Sequence, residues 1–510
     1  MKKLLGLIII CSGVATVVVG CGSGSGSASA PVNPWKQISG GLNQPQYSLS
    51  VWEHPSESFV LMSDESSALW EYNGSSWQKL TGGVNQPESI AIVYGLPTQT
   101  SIVAANNTTL WTYNGSNWTQ QTGGANQPAD FNSLIQAQDS VYGYPTNTSI
   151  VMVDNSMDVW TYSGVSWVKQ TGGAGQPESL PYVGEVWGNP TPSSIVLRDN
   201  TNALWTYDGL NWVKQSGGVN QPPSVVQVFG NNTSPSSIVM SDGSQLWTYN
   251  GTQWESQTGG INQPVSSYPF VYGNPTPISI TMEDDSGILW VYNGSMWESQ
   301  TGNTNQPANY GFVIGYPVPT SIVMIDNPNN LWTYNGTSWQ KLTGGVNQPN
   351  GVSLNMFPPA INQNNATSAN IIMQDSLANM WSYNGITWVQ LTGLNANQAP
   401  SSFYSHVLNN NPTPTSLFWG SSQFSSQLMD LWTYNGTSWQ KLTGGSDQPS
   451  AVFYYNNSIG PVGTGLVSTQ LDDIPAPSNL SSGLFTNVAE TINFAVITDP
   501  KGHLWMYNSK

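Results

Sequence analysis

The side chains of this 510-residue chain that could do chemistry are few, and most of them recur at a fixed spacing. Asp64, Asp154, Asp199, Asp284, Asp326, Asp375 and Asp499 each stand six residues before a tryptophan, and Asp242 stands five before one. A short acceptor at such a place can bond the N–H groups of a turn and fix a hairpin. Glutamines recur before proline, at Gln44, Gln86, Gln127, Gln176, Gln221, Gln263, Gln306, Gln348 and Gln448; a tenth copy reads Asn397-Gln398-Ala399-Pro400. An amide there can bond a neighbouring repeat or meet a ligand hydroxyl. The candidate ligand-facing set is therefore Gln86, Gln127, Gln221, Gln263 and Gln348 with Asp154, Asp199 and Asp326. Trp187 and Trp419 join it because, with Trp52, they fall outside the repeated tryptophan positions.

Catalysis is not expected. His54, His406 and His503 are scattered and have no metal-ligand spacing. No copy of the repeat departs from the others to supply an obvious carboxylate pair. No cofactor is implied. Only 8% of residues are charged, the formal net charge is −17 and Arg198 is the single arginine. A groove that tracks phosphates needs clustered Lys and Arg, so nucleic acid is excluded as a partner.

The elements that must position these residues are repeats. The unit Leu331 to Pro349 reads LWTYNGTSWQKLTGGVNQP. Its second tryptophan recurs from Trp35 to Trp439 at intervals of 41 to 51 residues, and its first from Trp70 to Trp505. That length suits four short strands. Strand A is exemplified by Ser89 to Tyr94, ending at Gly95. Strand B is Ser-Ile-Val-Met, as at Ser149 to Met152, and is expected to be buried on both faces. Strand C is Leu-Trp-Thr-Tyr. Strand D runs from the second tryptophan to Gly-Gly. Asn-Gly between C and D is a hairpin signal. The fold class expected is all-β, a propeller of ten four-stranded antiparallel blades. The chain opens on an orphan strand D at Trp35 and finishes on an orphan strand C at Trp505, so the first segment can complete the last blade and remove two edges. Two five-bladed rings, divided between Trp247 and Trp254, are the alternative.

The whole repeat, across Trp35 to Asn508, resembles propeller lectins of the tectonin and tachylectin type, which implies sugar binding between blades. The segment Asp285-Ser-Gly287-Ile-Leu-Trp290 resembles the Asp-box hairpin of sialidases and of the sortilin propeller, where the box is structural. Tyr207-Asp-Gly-Leu-Asn-Trp212 is similar to hairpins of the fucose-binding propellers. Those use a repeated arginine, as a sialidase site uses several, and this chain has Arg198 alone.

The first residues read as an export signal. Lys2 and Lys3 precede the apolar stretch Leu4 to Val19, and Val18-Val19-Gly20-Cys21 resembles a bacterial lipobox. The resemblance implies cleavage before Cys21 and lipidation of Cys21. The expected organisation is a signal at 1–20, a Gly/Ser linker at 21–34 and the propeller at 35–508. These readings point to a non-catalytic recognition protein, lipid-anchored at the cell surface or envelope. Its expected partner is a glycan or surface polymer met at the repeated loops, or, alternatively, an envelope protein held by a scaffold. Membrane contact is expected through the lipid alone. The lengthened connection from Gly420 to Asp430 and the insert at 458–490 are further places for binding.

Overall fold

The computed structural model describes residues 34–508 apart from 53–54, 132–136, 138, 232, 266–267, 309–310, 328, 353–365, 378, 393–405, 408–412, 414, 422–427 and 454–493. Residues 1–33, with the expected signal, Cys21 and most of the linker, lie outside the described residues. So do Asn397 to Pro400, most of the 420–430 connection and the insert at 458–490. Trp35–Lys510 forms one compact unit.

Ten antiparallel sheets follow one another along the chain. Blade 1 carries the strands Ser48–Val51, Val60–Asp64, Leu69–Tyr72 and Trp77–Lys79, in that spatial order. Blades 2 to 7 repeat this meander. Blade 8 shows strands B to D at Ile371–Gln374, Met380–Tyr383 and Trp388–Gln390, and blade 9 ends in Trp439–Lys441. In blade 10, Trp35–Gln37 pairs with Leu504–Asn508, which pairs with Phe494–Thr498. Trp35 lies opposite Tyr507 and Gln37 opposite Trp505. The first strand thus supplies strand D of the last blade, as the orphan strands require.

One apolar core fills the space between each blade and the next. Leu61 and Leu69 of blade 1 meet Ile102 and Ala104 of blade 2. Phe418 and Leu431 of blade 9 meet Ala495 and Ile497 of blade 10. Val496 and Leu504 of blade 10 meet Val60 and Met62 of blade 1. The last two cores close the ring. Two five-bladed rings are overturned. Leu246–Tyr249 and Trp254–Ser256 pair within blade 5, and cores continue from that blade to blade 4 and to blade 6. A split there would strip apolar surface from both faces of the sheet.

Strand B is buried as its apolar run requires: Ile150, Val151 and Met152 are all inaccessible to solvent. Strand A differs from expectation. It does not stop at Gly95 but continues through it as Ile92–Thr98, with a register shift between Tyr94 and Thr98. Gly95 adopts φ +65°, and a Cβ there would stand 2.8 Å from Cδ of Pro145 in blade 3. The glycine is a bulge that lets one innermost strand lie against the next.

The closing strand is testable. Trp35 is 5% exposed and packs beside Tyr507 at a ring separation of 5.1 Å. Trp35→Ala should destabilise the protein by about 3–5 kcal/mol, measured by denaturant unfolding. A midpoint equal to that of the parent would show that the first strand does not hold the ring.

Candidate functional site

The candidate glutamines and aspartates stand on one face of the ring, where the B–C turns and the D–A loops emerge. The N–H of Ile90 in a D–A loop donates to Ser67 O in a B–C turn at 2.9 Å, and Leu180 donates likewise to Met157 O at 2.8 Å. The glutamine and aspartate sets are therefore neighbours, and the bonds each makes can be followed atom by atom.

The aspartates are spent inside their own blades. Asp199 Oδ1 accepts the N–H groups of Thr201 and Ala203 and the Thr201 hydroxyl. Its Oδ2 accepts Trp205 Nε1 at 2.8 Å. Asp154 holds Trp160 at 2.9 Å and Asp326 holds Trp332 at 2.8 Å in the same way. The three carboxylates are nearly inaccessible to solvent. The six-residue spacing thus places one oxygen on the turn and the other on the first tryptophan of strand C. At Asp64, burial pushes the carboxyl up, but hydrogen bonds from Ser66, Trp70 and Ala68 together outweigh it and hold it below its ordinary 3.8. Asp242 is lowered by the same balance, with Ser244, Trp247 and Gln245 as donors.

The glutamines brace their loops. Gln86, Gln127, Gln221, Gln263 and Gln348 each accept, through Oε1, the N–H of the second glycine, from Gly83, Gly124, Gly218, Gly260 and Gly345 at 2.8–3.0 Å. The intervening asparagine, as at Asn85 and Asn262, takes a positive φ of 58–59°, which asparagine tolerates better than most residues. The loop is rigid, and its tip points a side chain at solvent. At five tips that side chain is aliphatic: Leu42, Val84, Val219, Ile261 and Val346 are 91–94% exposed.

Trp419 is wholly buried among Ile372, Met380, Leu391 and Leu417, so it packs the core between blades 8 and 9. Trp187 is partly buried against Val196, Val228 and Met240. Arg198 is engaged as well. It pairs with Glu185 at 2.6 Å and donates to the Tyr182 hydroxyl at 2.7 Å.

Two sets of polar residues were not assigned a role from the sequence. A hydroxyl ends each strand D: Ser39, Thr81, Thr122, Thr171, Ser216, Thr258, Thr301, Thr343, Thr392 and Thr443 accept the N–H of the first residue of strand C in the same blade. In most blades the residue just before it receives the second tryptophan of the next blade, although Trp388, in the blade that follows Leu342, makes no such bond among the described residues. Trp167 Nε1 donates to Gln121 Oε1 at 2.9 Å, Trp297 to Gln257 and Trp339 to Gln300. Gln257 Nε2 in turn donates to Thr248 Oγ1 at 2.9 Å. Where that residue is Leu80, its carbonyl accepts Trp118 instead, at 2.8 Å. The recurrence of Thr or Ser before glycine in all ten copies was the available signal.

Among the described residues no three of His, Cys, Asp and Glu gather as metal ligands, and no helix is long and apolar enough to cross a membrane. No family model matches the chain, and no curated protein matches it. Solved structures do. It is similar to the WD40 domain of SCAP from fission yeast, at 9% identity over 93% of this chain and 98% of that one, with a TM-score of 0.32. It is similar to BamB from Moraxella catarrhalis, at 11% identity over 64% and 96%, with a TM-score of 0.30. The designed protein Ika8 matches at 9% identity over 80% and 99%, with a TM-score of 0.30. At these scores the likenesses add nothing to the propeller read from the strand pairing.

The carboxylate locks predict acid sensitivity. A carboxyl lowered in the folded state stabilises fully above its unfolded pKa, and that stability is lost as pH falls through the folded value. The melting temperature should therefore drop as pH falls below about 3.8, and the acid limb should be shallower in Asp64→Asn. An unchanged limb would mean that Asp64 carries none of it.

Proposed function

We propose that this chain is a non-catalytic recognition scaffold, held at the cell surface by lipid on Cys21, that grips an extended partner with the rim of its B–C/D–A face. The observation behind this reading is the set of five aliphatic loop tips. Leu42, Val84, Val219, Ile261 and Val346 project into solvent from rigid loops, while the polar groups beside them are spent on holding those loops. A single exposed aliphatic residue means little. The same position repeated around a ring offers many weak contacts, which gain strength together.

The chemistry of the tips favours an envelope protein with apolar patches. The D–A loops contain no Lys or Arg, so an anionic polymer finds no counter-charge there. The repeated aspartates Asp154, Asp199 and Asp326 are turned inward onto turn N–H groups and indoles, so they are not placed as acid–base groups.

Two experiments test the proposal. The five-fold change of Leu42, Val84, Val219, Ile261 and Val346 to serine should leave the melting temperature within a few degrees. It should abolish recovery of a stoichiometric partner protein from native membranes. Recovery equal to that of the parent would overturn the rim reading, and binding across a polysaccharide panel that depends on the tips would assign the partner to glycans. Separately, Cys21→Ala should release the protein from membranes or leave its precursor uncut; normal processing with full membrane retention would end the lipid-anchor reading.

A further inference from the structure

Blade 6 holds a carboxylate at a row of the repeat where most blades are neutral. Of the ten strand B residues that lie opposite the residue just before the first tryptophan, two are charged, Arg198 in blade 4 and Glu283 in blade 6. Arg198 is neutralised inside its own blade. Its backbone N–H donates across the strands to Glu185 O, and its guanidinium pairs with the Glu185 carboxylate at 2.6 Å. The guanidinium carbon lies 5.5 Å from the centre of the Tyr182 ring. Blade 4 thus gathers a carboxylate, an aromatic ring and a cation at one place.

Blade 6 gathers the carboxylate and the rings without the cation. Phe270 lies directly opposite Glu283. Tyr272, two residues on in the same strand, falls on the same face of the sheet. The two rings stand 5.0 Å apart at 59° and form a corner. Phe270 is 61% exposed, and Tyr268 on the loop before it is 72% exposed. Glu283 is partly exposed and accepts the Tyr272 hydroxyl through Oε2 at 2.9 Å; a carboxylate can accept further donors. Burial pushes this carboxyl above its ordinary 4.5, the Tyr272 bond opposes the shift and Asp284 adds to it. No Lys, Arg or His occurs between Lys214 and Lys341, and the exposed Asp285 adds negative charge close by.

The corner repels an anion. A metal ion prefers several oxygen ligands, and most of this surface is ring. A neutral apolar ligand would cover the carboxylate without pairing it. An organic cation meets both demands, since it pairs with the carboxylate and lies against the ring faces. We propose that the corner of Phe270, Tyr272 and Glu283 binds an organic cation, a guanidinium or alkylammonium group supplied from outside the chain, in the role that Arg198 fills within blade 4. The site does not rest on the rim contacts proposed above.

The test is a ligand-observed NMR titration of the purified full chain with three probes: a Gly-Arg-Gly peptide blocked at both ends, choline, and 3,3-dimethylbutanol, which has the shape of choline without its charge. At least one cation should bind, and the alcohol should bind roughly fivefold more weakly or not at all. A tighter peptide assigns the cation to a protein side chain; tighter choline assigns it to a small molecule or headgroup. Glu283→Gln keeps an acceptor for Tyr272, so the melting temperature should hold while the cation weakens roughly tenfold. Glu255→Gln removes the same charge from the exposed outer strand of blade 6 and should change nothing. Phe270→Arg supplies a cation from within, as blade 4 does, and should block the site. The five serine substitutions at the rim should leave it unchanged. The proposal is overturned if neither cation binds, if the alcohol matches choline, or if Glu283→Gln and Glu255→Gln weaken the cation alike, which would mean general attraction to an acidic protein.

Discussion

The indole N–H of the second tryptophan ties most sheets to the one before, and much of the ring is organised around that reach. A four-stranded sheet leaves two apolar faces, and packing alone sets neither the distance nor the register between sheets. The Trp167 bond to Gln121 and its equivalents supply a direction. They fix which side chain of one blade stands opposite which of the next. The tyrosine of strand C stacks on the same indole, as Tyr207 does on Trp212 at 5.0 Å, so the indole is held from its own blade before it reaches the neighbour. Closure extends this logic. Trp77 of blade 1 donates to the Ile38 carbonyl, so the segment that completes blade 10 also receives the next blade.

A protein with so few charges has to solidify its loops by other means, and here neutral donors and acceptors do it. The hydroxyl at the end of strand D holds strand C, as Thr258 does Leu246. The asparagine of the C–D hairpin caps its own turn: Asn250 Oδ1 accepts the N–H groups of Thr252 and Gln253. The asparagines of the many Asn-x-Ser/Thr sequences are mostly these turn residues. Each bond is modest, but a buried group left unpaired would cost more than the bond gains. Repetition makes the accounting strict, since an error in the unit would be made ten times.

The division between the two tryptophans was only partly legible. Both recur at fixed repeat positions, and both are partly or wholly buried. That one bonds its own blade and the other the preceding blade depends on which acceptor lies 2.8–3.2 Å away, as Trp205 and Trp254 show. Trp419 and Trp187 stood out by position alone, and burial decided what they do.

From the sequence alone the repeat length, the four strands, their buried faces and the orphan strands at the two ends follow. Each of these rests on local periodicity and on counting, which the linear chain contains. Ring number did not follow, because either closure satisfies the same orphan strands. The unbroken series of cores between consecutive blades, from blade 4 through blade 6 and from blade 9 through blade 10 to blade 1, decided it. The roles of the aspartates and glutamines also waited on the tertiary structure. A carboxylate or an amide offers the same atoms to a turn, an indole or a ligand, and only the surrounding donors choose among them.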